Sequence, residues 1–168
     1  MLKPNQHHTP SEWLKQLQIT YYVFYVLIVA LFGVIWYMND RSVSESGEPF
    51  RLFSPNETAG LTLQYIAIGY TLVIIPWALY GMKRTCAKIA LIEDEALKYD
   101  TYYTYAYMRM GAIGMSVLLS LVAYMLLGAY NPMIWLAAIG AVALVFTKPS
   151  AGKTEDELQA PDPNAPTY

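Results

Sequence analysis

The stretch MGAIGMSVLLSLVAYMLLGAY (residues 110–130), followed at once by NPMIWLAAIGAVALVFT (131–147), decides the fold of this chain. From Met110 to Thr147 there is no Asp, Glu, Lys, Arg or His. A helix needs about 20 apolar residues to cross roughly 30 Å of hydrocarbon, and residues 110–130 supply 21. Asn131-Pro132 then interrupts the run with residues suited to stopping one helix and starting the next. The pair reads as a tight antiparallel hairpin of transmembrane helices. Its second arm, residues 132–147, is the shorter, reaching about 24 Å at 1.5 Å per residue. Lys148 is expected to snorkel there, or the bilayer to thin around it.

The flanking sequence repeats the pattern. Residues 61–82 and 19–38 are also uncharged and long enough to span. Together these four stretches predict an all-α integral membrane protein with four transmembrane helices in two antiparallel hairpins. Composition agrees, because 55% of the 168 residues are hydrophobic and 14% are charged, against about 25% in an ordinary soluble domain. With one Cys and net charge −2, the chain is not a disulfide-stapled module, a basic nucleic-acid binder or a disordered polymer. The bilayer is its expected partner, and nucleic acid is not.

Lys3 and Lys15 before the first span imitate the flank of a signal peptide, but a signal core runs about 7–15 residues. The first span, residues 19–38, is longer and reads as a retained anchor. Orientation follows the basic residues. Lys3 and Lys15 precede the first span, Lys83, Arg84, Lys88, Lys98 and Arg109 lie between the second and third, and Lys148 and Lys153 follow the fourth. The first loop has Arg41 and Arg51 diluted by Asp40, Glu45, Glu48 and Glu57. Both termini are therefore expected in the cytoplasm, where Cys86 stays reduced. The resulting map is an interfacial N-terminal segment (1–18), an outer loop (39–60), a helical cytoplasmic connection (83–109) and a mobile, proline-rich tail (148–168).

Local signals refine this map. Thr9-Pro10-Ser11-Glu12 and Ser54-Pro55-Asn56-Glu57 both read as capping boxes. Trp13, Leu14 and Leu17 form an interfacial face. The third helix is expected to start near Glu93. Pro76 lies inside the second span and removes a donor from the Leu72 carbonyl, which predicts a kink.

Chemistry is sparse. None of the spans carries an ionisable group other than tyrosine, so the usual mark of proton-coupled transport is missing. Ala112, Ser116, Ser120, Tyr124 and Gly128 recur every four residues along the third span, and Ala137, Gly140 and Ala141 enrich the fourth in small residues. Such faces let helices approach closely in lipid, either within the hairpin or against another subunit. Thr71, Ser116, Ser120 and Tyr124 offer a weakly polar lining for an oligomeric pore. Trp13, Tyr105, Arg109 and Lys148 read as cytoplasmic interface anchors, with Tyr105 and Arg109 spaced for a cation–π contact.

Glu93, Asp94, Glu95 and Asp100 read as a solvated helix start rather than a metal site. His7-His8 alone make no metal site. Gly152-Lys153-Thr154 imitates the end of a phosphate loop but lacks the upstream glycine and the α/β setting. Thr154-Glu155-Asp156-Glu157 reads as the cap of a short helical turn. No cofactor, metal or catalytic residue is expected.

The stretch from Glu95-Ala96-Leu97-Lys98-Tyr99 through the third span to Lys148-Pro149-Ser150 and Glu157-Leu158 resembles small four-span proteins of Bacteroidetes-type bacteria, a group without assigned activity. The resemblance covers roughly residues 95–158 and implies a bacterial inner membrane. Three functions are compatible with the sequence. The foremost is a non-enzymatic accessory or assembly protein, working as a homo-oligomer or within a larger membrane complex. The others are an oligomeric transporter or channel for neutral or lipid-like solutes, and a headgroup-level membrane enzyme built on the tyrosine-rich entry to the third span.

Overall fold

The computed structural model describes residues 10–158 and is helical almost throughout. Helix α1 covers Pro10–Ser46, and α2 covers Thr58–Pro76 and continues through a π-helical turn, Trp77–Gly81, into α3, Met82–Ala90. Then come α4 (Glu95–Leu126), α5 (Asn131–Phe146) and α6 (Ala151–Leu158). Three helical runs are long and apolar enough to cross a membrane: Ser11–Ser46, Thr58–Ala90 and Glu95–Leu126. A fourth arises when α5 is taken with α6, from which it is bent by 78°.

Helix α4 is the hub, packing along α1, α2 and α5. Trp13 stacks on Tyr103 with ring centroids 5.4 Å apart, and a Cβ on Gly114 would overlap the Phe24 ring. Both helices advance by the same step between these contacts, so α1 and α4 run parallel. Thr71 meets Ser116 and the Tyr70 hydroxyl reaches the Ala112 carbonyl, whereas Gly60 at the start of α2 lies against Leu127 at the end of α4. Helix α2 is therefore antiparallel to α4, as is α5.

The helix directions are those of two antiparallel hairpins, but only one of the two is packed along its length. Helices α4 and α5 do form one, but α1 and α2 do not pair along their length; each packs on α4 instead. The reason lies in the seam of α1. Leu17, Tyr21, Phe24, Ile28, Leu31 and Ile35 recur at alternating steps of four and three, and all are buried or packed into the core. That is the knobs-into-holes spacing of a left-handed helix pair, and α4 is the helix it meets.

The loop after α1 is tied to the same hub. The Leu52 and Phe53 amides both donate to the Leu126 carbonyl, at 2.9 and 3.0 Å, and Arg51 bridges to Leu127. Helix α1 itself runs to Ser46, well into the expected outer loop.

Several end signals resolve differently from their sequence reading. Thr9 lies outside the described residues. Ser54 does not cap α2; its carbonyl accepts from the Glu57 amide in a turn, and Glu57 is the residue before the helix. Asp94 caps α4, accepting from the Ala96 and Leu97 amides, so that helix starts at Glu95 rather than Glu93. Gly128 ends α4. The Ala129 amide donates to Tyr124 O and the Gly128 amide to Met125 O, a Schellman motif with Gly128 at φ +72°. Tyr130, not Asn131, precedes α5, and Pro132 sits in its first turn.

Pro76 acts as a helix perturber in a specific way. The missing donor is followed immediately by the π turn, Trp77–Gly81, and the helix then resumes. A π turn inserts an extra residue in place of a sharp break.

Up to Leu158 the tail is helical rather than mobile, and residues 159–168 lie outside the described residues. Ala151–Leu158 is a helix packed on α3, with Thr154 and Leu158 buried. Ser150, rather than Thr154, caps it: its hydroxyl accepts from the Lys153 amide, and its carbonyl takes the Thr154 amide and hydroxyl. Pro149 is buried, and its carbonyl accepts from Gln18 Nε2 at 3.3 Å.

Candidate functional site at the basic end of the bundle

Two polar clusters interrupt the apolar packing. The first lies mid-bundle, where the small-residue stripe of α4 faces inward. Ser116 and Ser120 are fully buried. Ser116 Oγ and Thr71 Oγ1 share a 2.7 Å hydrogen bond, and Ser120 Oγ donates to the Ser116 carbonyl at 2.8 Å. A Cβ on Gly140 would come within 2.8 Å of Val117 Cγ2, so the absent side chain is what brings α5 against α4. Ala137 is buried beside it, whereas Ala112, Tyr124 and Ala141 are only partly covered. Gly128 leaves the stripe to terminate the helix. The face is thus consumed within the chain: the Ser116 hydroxyl pairs with that of Thr71, and the Ser120 hydroxyl with the Ser116 carbonyl.

The second cluster gathers where α3, α4, α6 and the π turn meet. Arg109 is expected from sequence at the membrane surface, yet its side chain is only 8% exposed. A guanidinium that far from solvent needs partners. Glu157 of α6 supplies one, with its Oε1 3.6 Å from Arg109 Nη1. That is an ion pair but too long for a hydrogen bond. The other Glu157 oxygen accepts from the Tyr102 hydroxyl at 2.7 Å and faces Cys86 Sγ at 4.0 Å. Lys153, one turn before Glu157, donates to the Phe146 carbonyl. Arg109 Nε is buried without any hydrogen-bond partner.

Electrostatics follow from this burial. Desolvation pushes the Cys86 thiol up to about 11, reinforced by the Glu157 charge and opposed by Arg109 and Lys153. Burial, then the bond to Glu157, raises Tyr102 well above the usual phenol range. Tyr103 is pushed up to about 12, first by burial and then by Tyr99 and Tyr107. Lys153 is lowered by burial and by Arg109, with Glu157 and Cys86 opposing.

Arg109 separates two small clefts. One, of about 20 Å³, is lined by Trp77, Ala78 and Gly81 of the π turn with Thr85 and Tyr105. The other, of about 10 Å³, is lined by Tyr102, Thr147, Pro149 and Lys153 among others. Each has room for about one water. π turns recur at functional sites because they re-aim the residues that follow.

Other sequence candidates land elsewhere. Trp13 packs on Tyr103. Lys148 is exposed, with its ammonium 5.6 Å from the centre of the Tyr22 ring, so it is Lys148 rather than Arg109 that lies over an aromatic face. Tyr105 shares a cleft with Arg109. Glu93, Asp94 and Asp100 are exposed and do not converge, and among the described residues no group of three His, Cys, Asp or Glu could hold a metal. His7 and His8 lie outside the described residues.

Sequence reading missed Glu157, Lys153 and Cys86. The available signal was their spacing: Lys153 and Glu157 share one helix face, and Thr154 and Leu158 share the neighbouring one.

No family model matches the chain, and no curated protein or solved structure matches it. What the cluster does must be read from its own chemistry.

Proposed function

We propose that this chain is a multi-pass protein of a bacterial inner membrane, with both termini cytoplasmic, acting without catalysis as an accessory or assembly subunit. One observation carries the reading. Helix α1 packs along a single neighbour, so 17% of its apolar window is buried, against 50% for α4. Two positions on from its inner seam runs a second row, Ile19, Val23, Val26, Ala30, Gly33 and Tyr37, with the same steps of four and three. Every one of these residues is exposed, and nothing lies within 4 Å of the place a Gly33 side chain would occupy.

A repeated seam with small residues at its centre suits a helix partner. The stripe on α4 is occupied internally, so association moves to α1. The pore reading loses support, because Thr71, Ser116 and Ser120 already satisfy one another.

The test is purification in mild detergent followed by native mass spectrometry of the intact eluate. Stoichiometric recovery of a second copy or of another membrane protein is expected, and Ala30→Leu with Gly33→Leu should abolish it while leaving insertion intact. A monomer in the unaltered protein, or association unchanged in the variant, overturns the proposal.

A further inference from the structure

We propose that Arg109 and Lys153 form a binding site for a phosphate-type anion, a site that Glu157 of α6 occupies as an internal stand-in. The inference is independent of how α1 associates.

The starting point is an imbalance. Arg109 lies against the Glu157 carboxylate in a largely buried setting, and the half-buried Lys153, one turn earlier on α6, brings a second cation to the same end of the cluster with its ammonium on the Phe146 carbonyl. Arg109 is more than nine-tenths buried, its Nε has no partner, and its closest approach to Glu157 is 3.6 Å. Glu157 therefore neutralises part of the charge without satisfying the guanidinium. A buried unsatisfied N–H on a charged group is costly, and a ligand that completes it recovers that cost.

The donors define the ligand. Arg109 can present Nε together with an Nη as a planar fork, the geometry that matches two oxygens of one tetrahedral anion. Lys153 adds a point charge, and the Tyr102 hydroxyl, which already donates to a carboxylate, adds a neutral donor. With Glu157 displaced, the cluster carries two positive charges facing three or more acceptor oxygens, which fits a phosphomonoester better than a carboxylate. Thr85 and Tyr105 line the other cleft beside Arg109.

Size dictates the mechanism. The clefts of about 20 and 10 Å³ admit a water but not a phosphate. The anion enters only as the Glu157 carboxylate swings out, so binding shifts α6 while Lys153, on the same helix, stays at the anion. Glu157, Lys153 and the covering residues Thr154 and Leu158 sit on the same short helix. Displacing its carboxylate loosens the lid over Cys86, which is 3% exposed in the closed form. Two sources share the required chemistry: a phosphomonoester lipid headgroup at the membrane surface, and free phosphate.

The experiment uses the full-length protein in phosphatidylcholine nanodiscs and follows alkylation of Cys86, the single cysteine. Adding phosphatidic acid to the bilayer is expected to accelerate alkylation by at least about tenfold, the scale of one charge-assisted contact, and to leave that lipid bound in native mass spectra. Acceleration by inorganic phosphate alone, saturating with concentration, assigns the site to the free anion.

Either response should be lost in Arg109→Gln and weakened in Lys153→Gln. Since Arg109→Gln can disturb folding, Glu157→Gln provides the converse check: fast alkylation without ligand and tighter retention of the anion. No acceleration by either probe, with only water at Arg109, overturns the proposal. So does an acceleration that Lys153→Gln and Glu157→Gln leave unaltered.

Discussion

Cys86 illustrates how a few ångströms of burial set the chemistry of one side chain. Burial, and then the facing Glu157 carboxylate, push its thiol up to about 11 from 9.0. At pH 8 the thiolate fraction falls about 100-fold relative to an unperturbed thiol, so alkylation should be slower by at least that factor. Removing α6 should restore ordinary reactivity. The sign for stability is fixed by the direction of the shift. A pKa raised in the folded state contributes stability that is fully present below pH 9.0 and is lost as pH rises through about 11. Docking of α6 should therefore hold at neutral pH and weaken at alkaline pH, which protease cleavage between Phe146 and Leu158 across a pH series would reveal. Deeper in the bundle, the Thr71–Ser116 bond is expected to contribute about 0.6 kcal/mol in a double-mutant cycle of Thr71→Val and Ser116→Ala, the average for such bonds between membrane helices. A coupling indistinguishable from zero would mean each hydroxyl finds another acceptor.

Helix ends decide how the elements connect. Gly128 sits at φ +72° and a Cβ there would come within 3.0 Å of Arg51 Cβ, so Gly128→Ala should lower stability by about 1 kcal/mol or more in denaturant titration of the detergent-solubilised protein. A neutral outcome would show the Schellman end to be dispensable. The α4–α5 hairpin was legible in sequence because an uncharged run broken by Asn131-Pro132 admits little else. Helix α6 was legible only as a short turn at Thr154–Glu157, since Pro149, Pro161, Pro163 and Pro166 give the tail the composition of an unstructured segment. It docks through Thr154, Leu158 and Glu157, and a stretch of eight residues has too little pattern to signal such contacts alone.

Across the whole molecule, α4 is the common neighbour, and its close contacts with α1 and α5 rest on glycines rather than on large apolar side chains. Lipid is as apolar as a leucine, so helices associate there through tight packing and a few hydrogen bonds. Filling the two close approaches should therefore be severe: Gly114→Leu against Phe24 and Gly140→Leu against Val117 are each expected to cost about 1–3 kcal/mol by overpacking. Thermal melts in detergent would test this, with Gly69→Leu on the open face of α2 as the control that leaves stability unchanged. Comparable losses at all three positions would mean that filling the close approaches is not what destabilises the bundle.

By itself, the sequence determined the all-helical architecture and the three to four apolar stretches long enough to span a membrane, because those depend on local composition and on the 1.5 Å rise of a helix. Of the face read as a packing stripe, Ser116, Ser120, Ala137 and Gly140 are buried, whereas Ala112, Tyr124 and Ala141 are only partly covered. Only the tertiary structure decided which helices touch. That choice depends on seams from distant segments matching in space, as Leu17 to Ile35 match α4, and on which faces they leave uncovered. The cluster of Arg109, Glu157, Tyr102 and Cys86 belongs to the same category. Its members are separated by up to 71 residues, and the charge of Arg109 acquires its meaning only when α6 folds back to exclude water from it.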